Sequence, residues 1–175
     1  MVQTLGVSDS LPDPDFPDID GAQFRHVLGH FLSGVTIITS VDPDTGGPVG
    51  LAASSFTSVS MDPPLVLFCA GKSSSTWPRI SASGRFCVNI LGHDHEHLSR
   101  QFSGKGDKFA GVAWHRGTSG SPVFDDALAW IDCVMHQEVD GGDHVIAIGR
   151  VVELGDRGHG GPLAYYRGGY GNLKD

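Results

Sequence analysis

Three stretches of the chain carry residue types that could do chemistry. Gly71-Lys72-Ser73-Ser74-Ser75-Thr76 sets one cation and four hydroxyls between the apolar run Leu65–Ala70 and a predicted helix over 75–83. Hydroxyls, backbone N–H groups and a positive charge in one turn are what a bound phosphate requires. A nucleoside-triphosphate loop is excluded, because Val66 stands where that motif needs its first glycine. The same residues also make an ordinary serine-rich helix cap, and the two readings stand level. The second stretch is Gly50-Leu51-Ala52-Ala53-Ser54-Ser55-Phe56-Thr57-Ser58-Val59-Ser60. Small side chains along a strand leave room for a flat ligand on the backbone, with Ser and Thr edges at its polar rim. A poorly packed edge strand has the same composition. The third is Asp143-His144 on a Gly-Gly turn, where a histidine is free to stack on or hydrogen-bond a ligand, or simply to fill the turn.

Other constellations fail on spacing. In a helix, His93-Asp94-His95-Glu96-His97 aligns only His93 with His97 and offers no third ligand, so it reads as a solvated helix start. Gly117-Thr118-Ser119-Gly120 lacks the spacing of a nucleophile elbow and precedes Pro122 in a loop. No HExxH, CxxC or strand-following GxGxxG occurs, which removes zinc hydrolysis and Rossmann-type dinucleotide binding.

The candidates need a scaffold, and it reads as mainly β. Asp20, with Gln23 three residues on, caps a helix whose Phe24, Val27, Leu28, Phe31 and Leu32 form one apolar stripe, ending at Ser33-Gly34. Six strands are predicted, over 35–41, 49–56, 65–70, 86–91, 127–139 and 144–154, with further helices over 75–83 and 93–102. Leu65–Ala70 is apolar on both faces and is expected at the centre of a sheet. Trp130, Asp132 and Val134, and likewise Val145, Ala147, Gly149 and Val151, set a constant inner and outer face on the last two strands. Short turns and no βαβ alternation indicate an antiparallel six-stranded β-barrel with flanking helices packed outside. Residues 1–19, rich in Pro and Asp, form a flexible arm ahead of one domain over 20–175.

Composition bounds the function. The 175 residues are 39% hydrophobic and 18% charged, as in one ordinary globular domain. Twelve Lys and Arg against 20 Asp and Glu leave a net charge of −8, which argues against nucleic-acid binding. No apolar run is long enough to span a membrane, and residues 1–20 lack the features of a secretory leader. Cys69, Cys87 and Cys133 lie in apolar runs and read as buried thiols in a reducing cytoplasm.

From Phe24 to Tyr170 the chain resembles the short-chain NAD(P)H:flavin reductases, the reductase components of two-component flavin-dependent monooxygenases, whose fold is the FMN-binding split barrel. The resemblance rests on Phe31-Leu32-Ser33-Gly34-Val35-Thr36-Ile37-Ile38-Thr39, on Ser55-Phe56-Thr57-Ser58-Val59-Ser60 with Pro63-Pro64-Leu65-Val66, and on Phe86-Cys87-Val88-Asn89-Ile90-Leu91. Gly142-Asp143-His144 and the segment from Pro162-Leu163 to Gly169-Tyr170 complete it. Ser83-Gly84-Arg85-Phe86-Cys87, Asp107-Lys108-Phe109-Ala110-Gly111 and Ile131-Asp132-Cys133 look most like the reductase of bacterial steroid-ring degradation.

The resemblance implies NADH-dependent reduction of FMN or FAD, with hydride passing from nicotinamide C4 to flavin N5 and reduced flavin leaving for a separate oxygenase. It implies a homodimer with the site at the two-chain interface. It lays the isoalloxazine along Leu51, Ala52, Ala53, Ser54 and Ser55. Ser58, Val59, Ser60, Cys69, Ala70, Gly71, Ser73 and Ser74 would hold the ribityl chain and phosphate, and Phe102 and Ser103 would border the flavin. His144 and the turn Arg167, Gly168, Gly169, Tyr170 would meet the nicotinamide nucleotide. Family members often show Thr and Asn where this chain has Ala52 and Ser54, so contacts there fall to the backbone. The alternative is a split-barrel protein that binds or stores flavin without turnover.

Overall fold

Residues 17–173 are described by a computed structural model, so the expected arm lies almost wholly outside the described residues. Helix α1 (Gly21–Leu28) begins where the sequence places it: the Asp20 carboxylate accepts from Gln23 N at 3.1 Å. It stops earlier than the apolar stripe predicts. His30 N and Phe31 N bond the carbonyls three residues back, at 3.1 and 3.0 Å. The His30 ring nitrogen also lies 3.0 Å from His26 O, so carbonyls that would continue the helix are taken. None of the stripe is buried: Phe24, Val27, Leu28 and Phe31 are 54%, 58%, 53% and 79% exposed.

The main sheet is built from β2 (Thr36–Val41), β3 (Pro48–Ala53), β4 (Thr57–Met61), β5 (Pro64–Gly71), β6 (Arg85–Ile90), β9 (Ala129–Gly141) and β10 (His144–Asp156). Their order is β3-β2-β6-β9-β10-β5-β4, and every neighbouring pair is antiparallel. The predicted antiparallel barrel is thus observed with seven main strands rather than six. The run 49–56 ends at Ala53, and Thr57–Met61 forms a strand of its own. β3 and β4 are the two ends of the sheet yet are joined by only Ser54-Ser55-Phe56, so the sheet must curl until its ends meet. Ser55 stitches the seam: its hydroxyl accepts from Cys69 N at 2.9 Å and lies 3.2 Å from Cys69 O.

Two apolar cores share β2, all six of whose residues are buried. Side chains alternate across a strand, so Ile38 enters one core with Phe68, Trp77 and Phe86, and Ile37 enters the other with Leu98, Phe102 and Phe124. Helices α2 (Trp77–Ser83) and α3 (Glu96–Ser103) supply Trp77 to the first and Leu98 and Phe102 to the second. Asn89 is fully buried between the layers, where it donates to Thr39 Oγ1 at 3.0 Å and accepts from Phe124 N at 2.7 Å.

Three expectations are corrected. β5 is second from the sheet end, and only Val66, Phe68 and Ala70 are buried, while Leu67 and Cys69 are half-exposed. Cys69 therefore differs from Cys87 and Cys133, which are buried. α3 starts at Glu96, because Gly92 N bonds His95 Nδ1 at 3.2 Å and closes a turn; His93 stays outside the helix. The face expected on β10 holds: Val145, Ala147 and Val151 all pack in the first core and Gly149 lies against Phe86, despite register shifts against β9 between Ile148 and Gly149 and between Val151 and Glu153.

Two small sheets, unforeseen in the sequence, cover the barrel. β1 (Ser33–Gly34), β11 (Leu163–Tyr166) and β12 (Gly169–Asn172) form one, and β7 (Trp114–Arg116) with β8 (Pro122–Phe124) the other. The β11–β12 hairpin turns on Arg167 and Gly168, both at positive φ (49° and 82°), as a tight turn between twisted strands requires.

Candidate active site

The site is organised by β3. As an end strand it leaves outward backbone donors and acceptors outside any ladder. At its C-terminal end Ala52, Ala53 and Ser54 present almost no side chain, and two clefts open beside them. One, of about 300 Å³, is bounded by Leu51–Ser55 on one wall and by Cys69, Ala70, Gly71, Ser74 and His144 on the other. The second, of about 220 Å³, shares Ala52, Ala53 and Ser54 and is closed by Val35, Ser99, Ser103, Tyr165 and Tyr170.

His144 is delivered to the first cleft by the β9–β10 hairpin, opposite Gly71 in the β5–β10 register. Its Nδ1 lies 2.7 Å from the Asp143 carboxylate. An Nδ1–H donated there leaves Nε2 as the ring's second polar atom at the cleft wall near Gly71. The same bond holds the Asp143 carboxyl below the usual carboxylate range, so Asp143 stays an acceptor for His144.

In the second cleft Tyr170 OH and Ser99 Oγ are 2.9 Å apart, and the rings of Tyr165 and Tyr170 meet edge to face at 5.2 Å. Tyr170 also carries the Arg100 guanidinium 5.0 Å above its ring centre. His144 and Tyr170 thus line different clefts that share the strip Ala52–Ser54.

The remaining sequence candidates lie as follows. Ser74 Oγ accepts from Thr76 N and Trp77 N, each at 3.2 Å, so it does cap the turn before α2. Ser73 Oγ stands 3.8 Å from where a side chain on Gly71 would begin. Lys72 is paired with Asp140 at 2.6 Å. Ser58, Val59 and Ser60 sit on β4, outside both clefts, with Val59 47% exposed. Phe102 is a core residue behind β3, and Ser103 beside it lines the second cleft. Arg167 and Gly168 line a neighbouring groove with Phe24, Leu28 and Ser54, and Gly169 opens β12.

Sequence reasoning did not assign Val35, Ser99 and Tyr165 to the site: they lie far apart in the chain, and although Val35 and Tyr165 fall in segments that carry the resemblance, nothing in their types points to a ligand. It also passed over Asp143 as a partner for His144. The buried thiols offer no nucleophile: burial raises both, that of Cys133 to about 12. Among the described residues no cluster of His, Cys, Asp and Glu is arranged to hold a metal. The arrangement can bind and stack planar groups, and it needs no general base to do so.

Residues 28–174 match the family described as "Flavin reductase like domain". The chain is 46% identical over 157 residues to the reductase subunit HsaB of a flavin-dependent monooxygenase from Rhodococcus jostii, covering 89% of this chain and 80% of that protein. Nitrilotriacetate monooxygenase component B from Mycobacterium thermoresistibile superposes with a TM-score of 0.83 at 49% identity, over 87% of this chain and 86% of that one. A Streptomyces globisporus NADH:FAD oxidoreductase, solved with NAD and FAD fragments, gives 0.83 at 35% identity over 89% and 93%.

Proposed function

The chain belongs to the flavin reductase family, and from that premise we propose that a flavin lies along the edge of β3 and takes hydride from NADH presented at the His144 cleft. It is a flavin reductase of the kind that serves two-component monooxygenases. The observation that carries the placement is the strip Ala52-Ala53-Ser54, an edge strand bare of large side chains with a cleft on each side. These residues fit a flavin: a flat ring system needs a smooth wall and backbone partners for its polar rim, and both are present.

When bound, the flavin supplies the redox chemistry, accepting hydride and carrying it away to the oxygenase. The protein's part is to bind and orient. Backbone groups of β3 and the Ser54 and Ser55 segment meet the ring's polar edge and favour the charge that develops there on reduction. His144, fixed by Asp143, positions the nicotinamide; Tyr165 and Tyr170 shield the opposite side of the strip from water. FMN and FAD are both candidates, and NADH is the donor by similarity to the Streptomyces enzyme.

We further propose a homodimer, supported by the uncovered α1 stripe and by an apolar groove that reaches from Phe24 and Leu28 to Ser54. A second copy laid there would complete the wall of the site. Among the described residues no helix is long and apolar enough to cross a membrane, and the three cysteines are free; a cytoplasmic location accords with free thiols.

The test is NADH oxidation followed at 340 nm with FMN, FAD or no flavin added, and NADPH in parallel. Turnover saturating in flavin is expected. A tightly held yellow chromophore without turnover would instead establish a flavin-storing protein.

A further inference from the structure

Two elements that share no ladder close the second cleft against the strip Ala52–Ser54: α3, through Ser99 and Ser103, and the β11–β12 hairpin, through Tyr165 and Tyr170. α3 is fixed on the barrel, because Leu98 and Phe102 are buried in the second core. The hairpin is held less firmly. Near its turn Arg167 N bonds Gly29 O at 2.9 Å, and β12 is an outer strand that pairs only with β11. Tyr170 links β12 to the barrel: its ring packs against the second core and its hydroxyl lies 2.9 Å from Ser99 Oγ.

A second contact to the same ring comes from Arg100, whose guanidinium stands 5.0 Å from the ring centre. An exposed arginine ordinarily samples many rotamers, but this one is held. Its Nε and Nη2 both donate to Glu96 Oε1, one helical turn back, at 2.8 and 2.7 Å. Two donors from one planar group fix the plane as well as the charge. As an exposed i, i+4 pair, Glu96–Arg100 adds little to the stability of the helix. Its consequence is geometric: it delivers a cation to the ring of an aromatic side chain that lines the cleft.

We propose that Arg100, oriented by Glu96, is a positioning residue of the flavin site, an assignment that rests on the flavin reading above. It clamps Tyr170 and the β11–β12 hairpin onto α3, and so sets the width of the cleft beside the strip Ala52–Ser54. Arg100 acts through Tyr170 and not through its own charge on the ligand. Its effect therefore falls equally on riboflavin, FMN and FAD, which share the ring system and differ in phosphate.

The experiment reads the affinity for all three flavins by fluorescence quenching without NADH, beside urea unfolding of each variant. Arg100→Ala should weaken every flavin by roughly two- to fivefold, the loss of one cation–π contact, with the urea midpoint almost unmoved. Arg100→Lys should restore most of the affinity, since an ammonium can still pair with Glu96 and sit on the ring. Glu96→Gln, which frees the guanidinium, should fall between Arg100→Ala and the unaltered protein. In a Tyr170→Leu background Arg100→Ala should cost nothing further, whereas in Tyr170→Phe, which keeps the ring, it should cost the full amount. Undiminished affinity in Arg100→Ala, a loss that spares riboflavin, a loss that persists in the Tyr170→Leu background, or a loss that follows a lowered urea midpoint would each overturn the proposal. Flavin binding without turnover in the unaltered protein would sink the reductase reading alone, and the quenching series would still decide this one. An unaltered protein that quenches no flavin would sink the flavin reading and this proposal with it.

Discussion

His144, proposed above to position the nicotinamide, has little around it. One carboxylate 2.7 Å away orients the ring, and a hairpin places it at the cleft wall. His144→Ala should raise the KM for NADH by about tenfold, the loss of one positioning contact of ~1.4 kcal/mol, and move flavin affinity much less. Unaltered NADH kinetics would remove it from the site. Gly50 makes the opposite case, where absence of a side chain matters. A Cβ there would begin 2.7 Å from the Phe102 ring and 3.0 Å from Ile38 O. Gly50→Ala should therefore cost about 1–3 kcal/mol in denaturant unfolding as Phe102 is pushed off its rotamer; an unchanged midpoint would show that the ring has room to move. At this scale the small-residue run Leu51–Ser55 was legible, because composition alone advertises an edge with nothing on it. Ser99 was not, since a serine inside a short amphipathic helix has nothing in its spacing to mark it as a cleft residue.

Between elements, the clearest clasp is Asp42. Placed just after β2, it accepts from Arg79 of α2 through two nitrogens, at 2.6 and 2.9 Å, and from Asp44 N and Thr45 Oγ1, each at 3.0 Å. These donors, Arg79 first, hold its carboxyl below the usual carboxylate range. A carboxyl whose folded pKa is lowered adds stability that is present above its ordinary pKa and disappears as pH falls through the lowered value. Urea midpoints should thus drop more steeply below about pH 4 in the unaltered protein than in Asp42→Asn. Parallel acid limbs would mean that the clasp contributes nothing to acid sensitivity. Most of the elements themselves were readable from turn chemistry and β-branched runs. The short strands β1, β7, β8, β11 and β12 were not, because two to four residues hold no periodicity and exist as strands only through their partners.

For the whole molecule, the exposed α1 stripe is the largest feature that a single chain leaves unexplained. Phe31, 79% exposed, should be covered in the homodimer proposed here. Light scattering at micromolar protein is expected to give twice the chain mass, and Phe31→Asp to give the monomer with weakened flavin binding, because the groove beside Ser54 then lacks its far wall. A monomeric unaltered protein would reject the dimer. The sequence by itself determined the β-rich antiparallel class, the order of the main strands along the chain, the family, and the small-residue strip that a flat ligand needs. All of these are written in local composition, turn residues and motif order. Only the tertiary structure decided that β3 and β4 are the two ends of one sheet, that His144 and Tyr170 line separate clefts along that strip, and that Arg79, Lys105 and Lys108 line one pocket at its start. Such meetings depend on the curl of the sheet, which brings together residues far apart in sequence and leaves no trace in the spacing of any one segment.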